Sequence, residues 1–148
     1  MTRIRPLLLA SLALIACQGA GPGDPAVPAR GPEAPPMTAF LSIRDGTGAH
    51  GPFRVEELEK LAVEVQLVSA PAGELPLRLE VLGPGGELYA QFPVTAQPDA
   101  SGRAKLTQEV EVRGTSIDLL RQTGAWTFRL AAADGAAPLA TAAAELAE

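Results

Sequence analysis

Catalysis near neutral pH needs a base or nucleophile with a partner, and the candidates in this 148-residue chain are few. His50 is the only histidine and sits in a turn-rich stretch, Asp45-Gly46-Thr47-Gly48-Ala49-His50-Gly51-Pro52. A metal site or a histidine-based triad needs further ligands or relays. There is no second histidine, and Met37 alone is a poor soft-ligand set, so His50 is expected to be a solvated loop residue. Ser42, Ser69, Ser101 and Ser116 lack the strand-to-helix elbow that exposes a nucleophile. The glycine after Asp45 breaks the Asp-Thr-Gly of a paired-aspartate site, and no second copy exists. Asp45, Asp99 and Asp134 stand beside glycines without the alternating carboxylates that calcium wants. No cofactor, no metal and no catalytic residue is expected, and the chain is not expected to be an enzyme.

Binding residues are scarcer still. Glu56, Glu57 and Glu59 form a short acidic run, ordinarily a solvated face. Trp126 shares a strand face with Phe128 and Leu130, which places it in a core rather than on a sugar-stacking shelf. Tyr89 and Gln91 are expected to face outward on an edge strand, which makes them the candidates for contact with a partner.

One cysteine, Cys17, precludes any intramolecular disulfide. Arg3 and Arg5 form a positive start, and Leu7 to Ala16 is an apolar run ending in small residues. That run is shorter than the about 20 residues a spanning helix needs, and Gln18-Gly19-Ala20-Gly21-Pro22 stops it. The grammar is that of an export signal. Leu14-Ile15-Ala16-Cys17 resembles the lipobox of bacterial lipoproteins position by position. The resemblance implies cleavage before Cys17 and acylation of its sulfur. It also makes residues 1–16 a signal peptide and places the protein in the cell envelope, lipid-anchored to a membrane. Gln18 in place of Asp after the cysteine favours the outer membrane over the inner one.

Without Arg3 and Arg5 the balance becomes 10 basic against 17 acidic side chains, from 12 and 17, or −7. An acidic surface excludes nucleic acid as a partner and excludes an electrostatic grip on anionic lipid. Residues 17–36 comprise Cys17 and a stretch with six prolines, at 22, 25, 28, 32, 35 and 36. That composition cannot offset ordering entropy and predicts a disordered linker, with a reach of at most roughly 60 Å.

From Met37 the hydrophobic period is two, and residues 37–148 are expected to form one domain. Ala39, Leu41 and Ile43 begin a first strand. Phe53 to Leu61 mixes helical and strand spacing and is expected to be a brief strand and turn. Leu61, Val63, Val65 and Leu67 lie on one face with Lys60, Glu64 and Gln66 on the other, and Leu75, Leu77, Leu79 and Val81 follow the same rule. Gly83-Pro84-Gly85-Gly86 suits a type II turn. Leu88, Ala90, Phe92 and Val94 are expected inside, and Pro93 marks that strand as an edge. Ala104, Leu106, Val110 and Val112 share a face that Gln108 interrupts, which suggests a bulge or a strand bridging two environments. Ile117, Leu119 and Leu120 suit one helical turn plugging an end of the core. Trp126, Phe128 and Leu130 pair back through Asp134-Gly135 with an alanine-rich strand over 139–146. About seven strands with regular turn signals and no long helix predict an all-β, antiparallel sandwich.

Two pieces carry a further resemblance. Leu79-Glu80-Val81-Leu82-Gly83-Pro84-Gly85-Gly86-Glu87-Leu88-Tyr89 and Gly124-Ala125-Trp126-Thr127-Phe128-Arg129-Leu130 with Asp134-Gly135 are similar to strand-and-turn pieces of immunoglobulin-like or fibronectin-type sandwiches, including macroglobulin-type modules. The resemblance implies the architecture alone, because a fold of this kind implies no activity. The expected function is that of a non-catalytic, lipid-anchored envelope protein. Its sandwich binds or scaffolds another envelope protein, through pairing along the strand of residues 87–94. The alternative is a carbohydrate or small-ligand binding module.

Overall fold

The computed structural model describes residues 36–148. The expected signal peptide, Cys17 and all of the expected linker but Pro36 lie outside the described residues.

The alternating stretches become strands that form two sheets, antiparallel throughout except where β2 joins the larger. β1 (Thr38–Asp45), β3 (Lys60–Val68) and β6 (Ala104–Glu111) make the smaller, in the order β1-β3-β6. β2 (Phe53–Arg54), β4 (Leu75–Leu82), β5 (Leu88–Ala96), β7 (Gly124–Ala132) and β8 (Pro138–Ala147) make the larger, in the order β2-β8-β7-β4-β5. The chain crosses between the sheets after β1, β2, β3, β5 and β6, so each sheet buries its apolar face against the other. The architecture is an immunoglobulin-like sandwich. β2, only two residues long, pairs in parallel with Leu146 and Ala147 at the end of β8. The mixed spacing of Phe53 to Leu61 resolves into that brief strand and a 3-10 turn at Val55–Glu57.

The core fills from both sheets. Leu61, Val63 and Val110 of the smaller sheet meet Leu79, Val81, Trp126 and Phe128 of the larger. Val65 and Leu67 meet Leu77, Val94 and Leu130. Every one of these positions belongs to an inward set of the period-two pattern, and among the described residues the buried set contains no polar or charged residue.

Three turns share one chemistry. The Gly48 N–H donates to Asp45 O (3.1 Å), that of Gly86 to Gly83 O (2.9 Å) and that of Gly102 to Asp99 O (2.9 Å). Each of these glycines has positive φ, at 92°, 84° and 74°. The turn at 83–86 is therefore not type II: Gly86, not Gly85, takes the left-handed position, as in a type I turn followed by a glycine. In two copies an aspartate secures the loop from inside. Asp45 Oδ1 accepts from the N–H and hydroxyl of Thr47 (2.9 and 2.7 Å) and from the Ala49 N–H (2.8 Å). Asp99 Oδ1 repeats this with Ser101 (2.8 and 2.6 Å) and Arg103 (3.0 Å). The spacing Asp-x-Thr/Ser-Gly was visible at both places. Both carboxyls are held below the usual range, first by the hydroxyl of Thr47 or Ser101 and then by backbone N–H groups.

Three expectations are corrected. Tyr89, expected outside, turns inward and meets Trp126 edge-on at 5.1 Å and 86°, while Leu88, expected inside, is 56% exposed. The cause is a bulge: Val81 pairs with Ala90 but Leu82 pairs with Leu88, so Tyr89 is the extra residue and the inward set shifts past it. Gln108 marks no bulge, since β3 and β6 pair in unbroken register from Lys60↔Glu111 to Leu67↔Ala104. Its amide donates to the Glu109 carbonyl at 2.8 Å, a bond an edge strand leaves room for. The helical turn is present as α1 (Ser116–Leu119), but only Ile117 plugs the core; Leu119 and Leu120 are 74% and 69% exposed.

Candidate functional site: the unguarded strand edges

A sheet edge presents unpaired N–H and C=O groups, and proteins guard such edges with charge, proline or bulges. The two sheets end at β1 and β6, and at β5 and the β2/β8 side. β5 is guarded by the missing N–H of Pro93 and by the bulge at Tyr89. β6 carries exposed Lys105, Glu109 and Glu111. Glu109 also binds Lys60 Nζ at 2.6 Å.

The other flank is uncharged, with β1 lying close beside β8. Beyond Leu146 and Ala147, which β2 covers, β8 shows Leu139-Ala140-Thr141-Ala142-Ala143-Ala144 with no charge before Glu145. Facing it across the two layers, β1 is uncharged from Thr38 to Ile43, and its Phe40 is 55% exposed. Between them lies a groove of about 600 Å3, lined by Leu41 to Ile43, His50 to Phe53 and Ala142 to Glu145.

The polarity of the β1 rim follows from two bonds. His50 Nδ1 lies 3.2 Å from the Ile43 carbonyl, which can only accept, so that nitrogen carries the proton. The Asp45 N–H donates to Ala49 O at 2.9 Å. Both groups point away from β3. Backbone direction alternates along an antiparallel strand, so Ala39 and Leu41 turn their N–H and C=O to the open side as well.

The remaining candidates are placed as follows. Tyr89 and Gln91, expected side by side on the surface, are separated by the bulge: Gln91 stays exposed, Tyr89 lies half-buried against Trp126. Trp126 is 1% exposed and donates Nε1–H to Gln122 O at 3.1 Å. His50 shares the groove with Ser42 and Glu145, and borders a smaller depression with Asp45 and Glu57. Its hydrogen bond goes to backbone rather than to any of these, and Asp45 Oδ1 is already taken by its own loop. Among the described residues no group of three or more His, Cys, Asp or Glu is placed to hold a metal. Glu56 and Glu59 pair across solvent with Arg54 (3.7 Å) and Arg113 (3.3 Å), contacts worth little at a surface.

On the outer face of the larger sheet, Glu80 bridges two strands. Arg129 Nη2 donates to Oε2 at 2.6 Å and Arg78 Nε to Oε1 at 2.9 Å. Arg78 also reaches the Ala133 and Gly135 carbonyls, at 3.0 and 2.9 Å, and so ties the β7–β8 turn to β4. The Arg129 hydrogen bond holds the Glu80 carboxyl below its usual range, against the opposing effect of burial, with Arg78 adding to it. A depressed folded-state value contributes stability above the unfolded pKa, near 4.3, that is lost as pH falls through the folded one. Glu80→Gln is therefore expected to lower the melting temperature at neutral pH and to flatten its fall on acidification below about pH 4. Parallel wild-type and variant profiles would show that the bridge contributes nothing.

No protein-family model and no curated protein matches the chain. Solved structures do. An immunoglobulin-like protein from Pseudomonas aeruginosa is similar at 16% identity and a TM-score of 0.47, over 78% of this chain and 99% of that one. A GH3 beta-glucosidase from Bifidobacterium adolescentis is similar at 13% identity and a TM-score of 0.42, over 75% of this chain and 17% of the enzyme. These are likenesses of fold. They carry no activity to this chain.

Proposed function

We propose that the domain is a non-catalytic binding module of the cell envelope, tethered by a lipid on Cys17, that grips an extended segment of another envelope protein by strand addition. The observation that supports it is the uncharged, unguarded edge of β8 over Leu139–Ala144, beside an equally bare β1. Backbone groups on such an edge are ready donors and acceptors, and adding a strand satisfies them without reshaping the sandwich. The sequence pointed to the strand of residues 87–94. That strand is an edge, but Pro93 and the bulge make it the poorer dock. Sugar binding loses its support because Trp126 and Tyr89, though adjacent, lie in and against the core instead of forming an exposed shelf. The linker supplies reach and the acyl group the attachment, and Gln18 favours the outer membrane as its seat.

A photo-crosslinking side chain placed at Ala143 is expected to trap an envelope protein in living cells, while the same group at Gln91 on β5 traps none. Adducts at Gln91 alone would move the dock back to β5. Their absence at both sites would remove strand capture altogether.

A further inference from the structure

β2 opens a lane that it does not fill. Its two residues lie at hydrogen-bonding distance beside Leu146 and Ala147, running parallel to β8. A chain is thus already accommodated in that position, and the lane continues past Ala144, Ala143 and Ala142 as the groove. Leu41 to Ile43 wall one side, and His50 to Phe53 close the end next to β2. An extended residue advances about 3.3 Å, so about four residues of a guest would span the groove beside Ala142–Glu145, with the rest of the segment running out of it.

We propose that this lane takes an extended peptide segment of a partner protein. The segment runs parallel to β8, with its C-terminal end against Phe53. It carries uncharged small or β-branched side chains along the lane and a lysine or arginine at that end. The inference rests on the strand-capture reading and names its guest. β2 sets the direction. The lane sets the composition: the partly buried Leu41 and Ala142 and the exposed Ala143 line it, Ile43 and Ala144 lie behind them in the core, and there is no charge before Glu145, so an ionised side chain turned inward would lose water and gain no charged partner. Glu145, at the β2 end, asks for a cation there, as does an acidic protein generally. The walls argue for a single chain rather than a second copy, because two-fold pairing of β8 with β8 is antiparallel and the His50–Phe53 segment obstructs the approach of another sandwich rim.

The test titrates the full chain with the acetylated, amidated peptide Thr-Val-Thr-Val-Thr-Val-Thr-Lys-Lys and follows amide hydrogen exchange residue by residue. Exchange within residues 139–145 is expected to slow by about tenfold or more at saturation. The peptide ending in Glu-Glu is expected to bind about fivefold more weakly. Ala143→Lys, a change at an exposed position, is expected to weaken binding by about tenfold by guarding the edge. Protection confined to residues 88–96 or 104–111 would overturn the lane and leave strand capture standing. Protection of 139–145 that needs no peptide and grows with a dimer in sedimentation would overturn the guest in favour of a second copy. Equal binding of both peptides would overturn the cation at Glu145. Unchanged exchange on every edge, together with no cellular adduct at Ala143, would overturn lane and strand capture alike.

Discussion

Trp126→Ala is expected to destabilise the domain by about 3–5 kcal/mol, out of a total of the order of 5–15. The indole is the largest buried side chain, and it belongs to the core cluster that also holds Leu61, Val63, Val81 and Ile117. Deleting it leaves a void that strands held on both sides in fixed register cannot collapse to fill. The edge-on ring of Tyr89 loses its partner too, an aromatic contact worth about 0.5–1.5 kcal/mol beyond its area. The Gln122 carbonyl loses its donor. Urea titration followed by far-ultraviolet circular dichroism measures the effect, because Trp126 is the only tryptophan and fluorescence vanishes with it. Trp126→Phe, which keeps a ring but drops the Nε1 donor, should cost less than half as much. A loss below about 1 kcal/mol would mean the ring is not in a packed core, and would restore the surface on which a sugar could stack.

The second large effect is one of place rather than stability. Cys17→Ser is expected to move the protein from the membrane fraction to the soluble extracytoplasmic one, or to leave it unprocessed. Each acyl methylene contributes about 0.8 kcal/mol to membrane binding, and one chain is marginal while two hold firmly. The acidic domain offers no electrostatic substitute. Fractionation together with intact-mass analysis reads the result: the wild-type chain should begin at Cys17 with the mass of its lipid, and the variant should lack it. Mature, fully processed variant in the membrane fraction would refute the anchor. Melting of the domain should be untouched, which separates a failure of tethering from a failure of folding.

The period-two alternation was legible because it is local. Each strand's inward set is fixed by side chains two apart, so Leu61-Val63-Val65-Leu67 and Trp126-Phe128-Leu130 went to the core as their spacing required. Pro93 announced an edge for the same reason, since a missing N–H is a property of one residue. What the chain does with Tyr89 was not legible: the bulge arises from the match between β4 and β5 and from an indole arriving on β7, two strands away in sequence. Nor could spacing say that Gln108 stays in register, because a polar side chain on an inward face is tolerated only at an edge, and which strands are edges depends on the order of the whole sheet. The candidate site lies on that second kind of information. An alanine-rich strand reads the same whether its neighbour covers it for two residues or for ten, and only the tertiary structure decided that β2 stops after Arg54 and leaves β8 open. Sequence by itself determined which faces are apolar and where the chain turns. The fold decided which backbone edges remain unpaired, because that depends on contacts between residues far apart in the chain.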